Sequence, residues 1–323
     1  MPPRAPDLTI PLVGAGGEAV SFRATLGSHG LAWLPPNEIT PGETSLTTTV
    51  LVPSGMAYAL TITALPPPQP RLAVEIGGRR PPTAALRAIA TSVRAMFALD
   101  LDLSGFYDAI AGDADLAFAR DGYGRFLRSP TAFEDVVRTI CTTNCSWSAT
   151  ERMITALVTH LGTPAAESAS GWRGRAFPTA SQLSAVDEPF YRDVVRAGYR
   201  GAYLRAIAAA DVSGAVDFES WRAASPSDLP DDGLVRALLA LPGVGPYAAA
   251  HAMMLFGRGS RLVLDSWTRP RYAQLAGRKA VADRTIERRF KRYGEHAGRA
   301  FWLYLWKSRH LGEDTRPITS SAS

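Results

Sequence analysis

The run Leu241-Pro242-Gly243-Val244-Gly245, followed at once by Pro246, constrains this chain more than any other stretch of it. A helical pattern ends just before it and another begins just after. Pro246 at a first helical position has its φ pre-set and gives up an N–H that has no intrahelical partner there. Two glycines flanking one aliphatic residue allow backbone angles that a Cβ forbids. The hairpin can therefore present successive N–H groups at a helix N-terminus, where a phosphate binds readily. Val244 is expected to pack beneath the turn. An ordinary helix–helix connection with a glycine cap is the plainer reading of the same residues. The small-residue helix that follows (Ala248, Ala249, Ala250, Ala252) and the aspartate beyond it, Asp265, favour the phosphate-binding one.

Charge is distributed in the same sense. The chain of 323 residues carries a net charge of +5, yet 257–309 hold fourteen Lys and Arg against four Asp and Glu. All three lysines, Lys279, Lys291 and Lys307, fall in that segment. A basic segment on a slightly acidic body predicts a polyanionic partner, with a solvated helical face as the alternative. No apolar stretch approaches the roughly 18 residues a membrane span needs, and Met1-Pro2-Pro3-Arg4 opens no secretory signal. A cytoplasmic, monomeric protein with no membrane partner is the expectation. Cys141 and Cys145 are too few for a disulfide framework.

Pattern divides the chain. Ser45–Val52, Met56–Leu65 and Arg71–Ile76 are rich in Thr, Val, Ile and Leu and are separated by Pro and Gly, so they read as strands. Residues 1–83 are expected to form a small β-rich domain with some helix. From 84 to 311 helical spacing prevails, beginning with Leu86, Ile89, Ala90, Val93, Met96 and Phe97. Residues 312–323 read as a disordered tail.

The run from Leu241 through Asp265 to Arg271 resembles the hairpin-to-aspartate core of the helix-hairpin-helix (HhH-GPD) DNA glycosylases. The resemblance covers roughly residues 100–311 and is to the 3-methyladenine DNA glycosylase II branch, with features of the 8-oxoguanine branch. It implies a mainly α fold of two helical lobes, with residues 1–83 as the small N-terminal α+β domain that both branches carry. It also implies an activity: hydrolysis of the N-glycosidic bond of a flipped, damaged, alkylated purine in double-stranded DNA. Asp265 is the family's catalytic aspartate by position. A carboxylate suits the chemistry, because breaking this bond builds positive charge on the sugar. Asp265 also fits as an N-cap of a helix starting near Thr268, and the two roles are compatible.

By the same resemblance the hairpin Leu241–Gly245 holds DNA phosphate, Tyr247, His251 and Trp306 shape the base pocket, and Asn144 fills the gap left by the extruded base. Core packing is the alternative for the three aromatic residues, and a helix cap for Asn144. Family members that also cut the strand place a lysine six residues after the hairpin leucine. Tyr247 stands there, so base removal without strand cutting is expected. An iron–sulfur cluster needs four cysteines, so neither that cluster nor any other metal or cofactor is expected. An oxidised-purine glycosylase of the 8-oxoguanine type and a non-catalytic lesion sensor are the alternatives.

Overall fold

A computed structural model describes residues 5–66, 68–166 and 171–310, the side chains of 308–310 excepted. The expected tail, 312–323, lies outside the described residues. The N-terminal part is an antiparallel sheet of β1 (Leu8–Pro11), β2 (Glu38–Ile39), β3 (Ser45–Leu51), β4 (Ala57–Leu65) and β5 (Arg71–Ile76), in the order β1-β5-β4-β3-β2. A short helix α1 (Phe22–Leu26) follows β1, capped by the Ser21 hydroxyl. The three longer strands match the Thr- and Val-rich runs of the sequence. The edge strands β1 and β2 are too short to show a period.

One face of the sheet is covered by α2 (Thr83–Met96). Ala85, Ile89, Val93 and Met96 recur at helical spacing and are buried in one cluster with Leu46, Leu60, Ile62, Leu72 and Val74. The sheet needs this helix to bury its apolar face. A division at residue 83 therefore runs between the sheet and its own cover.

The remaining helices are α3 (Ser104–Ala109), α4 (Ala132–Cys141), α5 (Trp147–Leu161), α6 (Ala180–Ala185), α7 (Arg200–Val212), α8 (Phe218–Ala223), α9 (Asp231–Leu239), α10 (Pro246–Leu255), α11 (Thr268–Leu275), α12 (Asp283–Phe290) and α13 (Ala297–His310). They form two lobes with separate cores. Val137 and Ile140 of α4, Leu157 of α5, Leu204 and Ile207 of α7, Leu238 of α9 and Met253 of α10 share the first. Phe106 of α3, Tyr272 of α11, Ile286 and Phe290 of α12 and Phe301 and Leu305 of α13 share the second. Trp267 and Trp306 pack against both. The chain is thus mainly α, two-lobed, with a small N-terminal α+β part.

Buried arginines join the parts. Arg138 of α4 is paired with Glu134 and donates to the carbonyls of Leu31, Leu34 and Pro35, fastening the N-terminal part to the first lobe. Arg299 of α13 donates to the carbonyls of Gly124 and Gly257. Each guanidinium satisfies main-chain acceptors that burial would otherwise strand. Among the described residues, no helix is long and apolar enough to cross a membrane.

Candidate active site

The hairpin joins α9 to α10. Leu241 donates its N–H to the Leu238 carbonyl, Val244 donates to Leu241, and both side chains are buried. Gly243 has φ +80°, a left-handed conformation, and a Cβ built there would lie 2.4 Å from the Tyr203 ring. Gly is required at this position twice over, for its backbone angle and for the close approach of Tyr203. Gly245 is the N-cap of α10 and brings no side-chain cap, and a Cβ there would meet nothing within 4 Å. The N–H groups of the first helical turn thus face an open side, with the positive end of the helix dipole behind them.

Asp265 stands opposite. Its Oδ1 accepts N–H groups from Trp267 (2.8 Å) and Thr268 (2.6 Å), and its own N–H donates to the Thr268 hydroxyl at 2.8 Å. This is the reciprocal bonding of a helix start, and it fixes the carboxylate at the head of α11. Oδ2 has no hydrogen-bond partner among the described residues. Arg269, which shares a cleft wall with Asp265, makes its side-chain hydrogen bonds to Asp283, at 2.8 and 3.0 Å.

Tyr247, on the first turn of α10, lies between these parts. Its hydroxyl contacts Thr142 Oγ1 at 3.1 Å and His251 Nδ1 at 3.3 Å. Burial, with a smaller push from the Asp265 carboxylate, raises its pKa and keeps the phenol protonated. Asn144 closes the same space from α4's end, with φ +48° and an exposed side chain that donates to the Tyr199 hydroxyl at 3.3 Å. Arg200 holds this loop: its guanidinium donates to the Thr143 and Asn144 carbonyls and stacks over Tyr199, 4.6 Å from the ring centre.

The structure brings Asp265, Tyr247, Asn144, Gly243 and Gly245 to one cleft of about 590 Å³. Thr142, Tyr199, Tyr203, Ser266 and Arg269 share its wall. Leu241 and Val244 anchor the hairpin from below and Pro242 flanks it. His251 and Trp306 are not in this wall. His251 is only 5% exposed, because α10 is buried on nearly all sides by its run of small residues. Its ring sits behind Tyr247, edge-on to His29 at 5.9 Å. Trp306 stacks on Trp267, centroids 4.9 Å apart.

Tyr199, Arg200 and Tyr203 act by touching the Asn144 loop and Gly243, and those contacts have no local pattern. His29, from the N-terminal part, was not singled out at all. Its Nε2 donates to the Leu127 carbonyl at 2.7 Å, so in the neutral ring Nδ1 carries the lone pair. Cys141 is buried, which pushes its thiol up to about 12, and Cys145 Sγ donates to the Cys141 carbonyl at 3.2 Å. Among the described residues, no group of three His, Cys, Asp or Glu side chains is placed to hold a metal ion.

Burial lowers the pKa of His251 to about 4, and burial together with His251 lowers that of His29 to about 3. As pH falls below about 6.5 the unfolded imidazole takes up a proton that the folded one refuses. The His251 contribution to stability is therefore complete above pH 6.5, and about 3 kcal/mol of it is lost by pH 4. The slope of unfolding free energy against pH should be shallower in His251→Phe than in the unsubstituted protein. Urea titrations across this window measure it, and equal slopes would contradict the assignment.

No family model matches the sequence, and no curated protein does. Solved structures do. That of MBOgg1 in complex with a low-affinity DNA ligand superposes with a TM-score of 0.67 at 18% identity, covering 94% of this chain and 96% of that one. The 3-methyladenine DNA glycosylase of Archaeoglobus fulgidus gives 0.66 at 18% identity, covering 93% and 98%. The 8-oxoguanine glycosylase/lyase of Clostridium acetobutylicum, in its apo form, gives 0.61 at 16% identity, covering 88% and 94%.

The chain has the fold of the helix-hairpin-helix DNA glycosylases. In this glycosylase fold the cleft between Asp265 and the hairpin lies where the two helical lobes meet. Asp265 heads α11, which packs into the second lobe, while the hairpin and Asn144 belong to the first.

Proposed function

We propose that the protein is a monofunctional DNA glycosylase that hydrolyses the N-glycosidic bond of an extruded, alkylated purine and leaves an abasic site. The observation that carries this reading is the single cleft holding Asp265, Tyr247 and the open side of the hairpin.

The residues divide the work. The N–H groups at the head of α10 bind a backbone phosphate and set the register of the duplex. Asn144 enters the stack where the base has left and hydrogen-bonds the exposed edges there. The Asp265 carboxylate, oriented through Oδ1, turns Oδ2 toward the sugar. There it stabilises the positive charge that develops as the bond to the base breaks, and it orients the attacking water. Tyr247 stands where a Schiff-base lysine would be needed, and no lysine is among the residues of the cleft wall. A phenol has no amine with which to form a Schiff base, so the base leaves and the abasic sugar stays in an uncut strand.

The electron-rich surroundings support an alkylated purine. Tyr199, Tyr203 and Tyr247 line the cleft, and electron-rich ring faces attract a cationic ring. The exposed Asn144–Tyr199 pair at the cleft mouth favours a second reading, an oxidised-purine enzyme that inspects the opposite base. A lesion sensor without catalysis would leave Asp265 turned away or neutralised, and the Arg269–Asp283 pair argues against that. Duplexes carrying 3-methyladenine, 1-methyladenine, hypoxanthine, uracil or 8-oxoguanine separate these readings. Fastest release of a methylated adenine is expected. Preference for 8-oxoguanine would replace the first reading by the second, and no release from any duplex would overturn both.

A further inference from the structure

The basic segment 257–309 is only partly used by the fold. Arg289 and Lys307 pair with Asp115, Arg292 with Asp113 and Arg258 with Asp231, and Arg299 is buried among carbonyls. These cations neutralise the acidic body. On another face of the α12 stretch, Arg284, Arg288 and Lys291 stand at i, i+4 and i+7, all exposed and none with an ion pair among the described residues. That spacing puts them in one row.

The row lines a groove of about 1040 Å³ between α12 and the ends of α9 and α10. Its apolar lining includes Val235, Leu239, Ala250, Leu262 and Ala297. Within it Asp283 is neutralised by Arg269, and Arg261 by Asp232. Glu287 is left against three cations, so the groove is electropositive. It is also continuous with the candidate active site: Pro246, Tyr247, Leu264 and Arg269 line both.

We propose that this groove carries the arm of duplex DNA flanking the extruded nucleotide, with sugar faces on the apolar lining and phosphates on Arg284, Arg288 and Lys291. The inference rests on the glycosylase reading for its partner. The shared wall is what selects DNA: a strand whose phosphate sits at the hairpin can continue past Pro246, Tyr247, Leu264 and Arg269 into the groove that the row lines. An acidic peptide with apolar side chains would meet the same surface chemistry, but it would not need the connection to the cleft.

The test is the salt dependence of binding to an undamaged duplex that extends a full helical turn beyond the hairpin contact. Each phosphate contact contributes about 0.9 to the slope of log affinity against log salt. The triple variant Arg284→Gln, Arg288→Gln, Lys291→Gln should flatten that slope by roughly 2.7. The double variant Arg278→Gln, Lys279→Gln removes exposed cations outside the groove and should leave it unchanged. All five side chains are exposed, so folding is not at risk. An unchanged slope in the triple variant, or an equal loss per charge in the double one, overturns the proposal. So does an acidic, apolar peptide that binds the unsubstituted protein and is lost from the triple variant while the DNA slope stays put. Because undamaged DNA is bound without base release, the measurement is independent of catalysis. A protein that shows the expected slopes but excises nothing would remove the glycosylase reading and keep the groove.

Discussion

Asp265→Asn should lower single-turnover base release by on the order of 10³-fold while leaving DNA affinity within a few-fold. The substitution keeps an oxygen that can accept the Trp267 and Thr268 N–H groups, so the start of α11 is preserved. What disappears is the negative charge facing the cleft. The hairpin and the Asn144 loop do not touch this carboxylate through any hydrogen bond, so the binding surface is retained. Base release at the unsubstituted rate would show that Asp265 is only a cap. Loss of DNA binding in parallel with release would show that it acts on affinity and not on the bond-breaking step.

Gly243→Val should disable the protein by another route. A side chain at φ +80° costs about 1–2 kcal/mol in backbone strain, and overpacking against the Tyr203 ring adds about 1–3 kcal/mol. Their sum, roughly 3 kcal/mol, is a large part of a domain's net stability. The hairpin can relieve the clash only by moving the N–H groups at the head of α10, so DNA affinity falls together with stability. Adding Tyr203→Ala removes the close contact and leaves the strain, so the pair should recover about half of the lost stability. Full recovery would mean that the left-handed angle costs nothing. No recovery would mean that Tyr203 is not what the new side chain meets.

These two positions also show what the sequence makes legible. The hairpin is readable because a left-handed turn at Gly243 and a helix start at Pro246 restrict residue type locally. Asp265 is readable because its hydrogen bonds reach only two and three residues ahead. Strands β3 to β5 are readable from their Thr, Val and Leu content between Pro- and Gly-bearing turns. The attachment of α2 to the sheet is not, since its apolar stripe would suit either neighbour.

The pocket is less legible for a related reason. Tyr247 and His251 are four apart on α10 and so share a face, which from sequence looks like one wall of a pocket. In the folded chain α10 is enclosed by other helices, and depth separates the two: Tyr247 reaches the cleft and His251 lies behind it. Trp306 is turned onto Trp267 by the meeting of the two lobes. Arg200 reaches the Asn144 carbonyl across 56 positions, and His29 comes to His251 from the N-terminal part. Contacts of that span are fixed by packing between parts of the fold, and no periodicity reports them.

The most direct measurement follows one duplex bearing a single methylated adenine under single-turnover conditions. Free base is quantified, and the strand is sized before and after hot alkali. The expected result is release of the base, an intact strand before alkali and a cut strand after it. A strand already cut before alkali would contradict hydrolysis without strand cutting, and no free base from this or any other damaged duplex that the protein binds would contradict catalysis by Asp265 altogether.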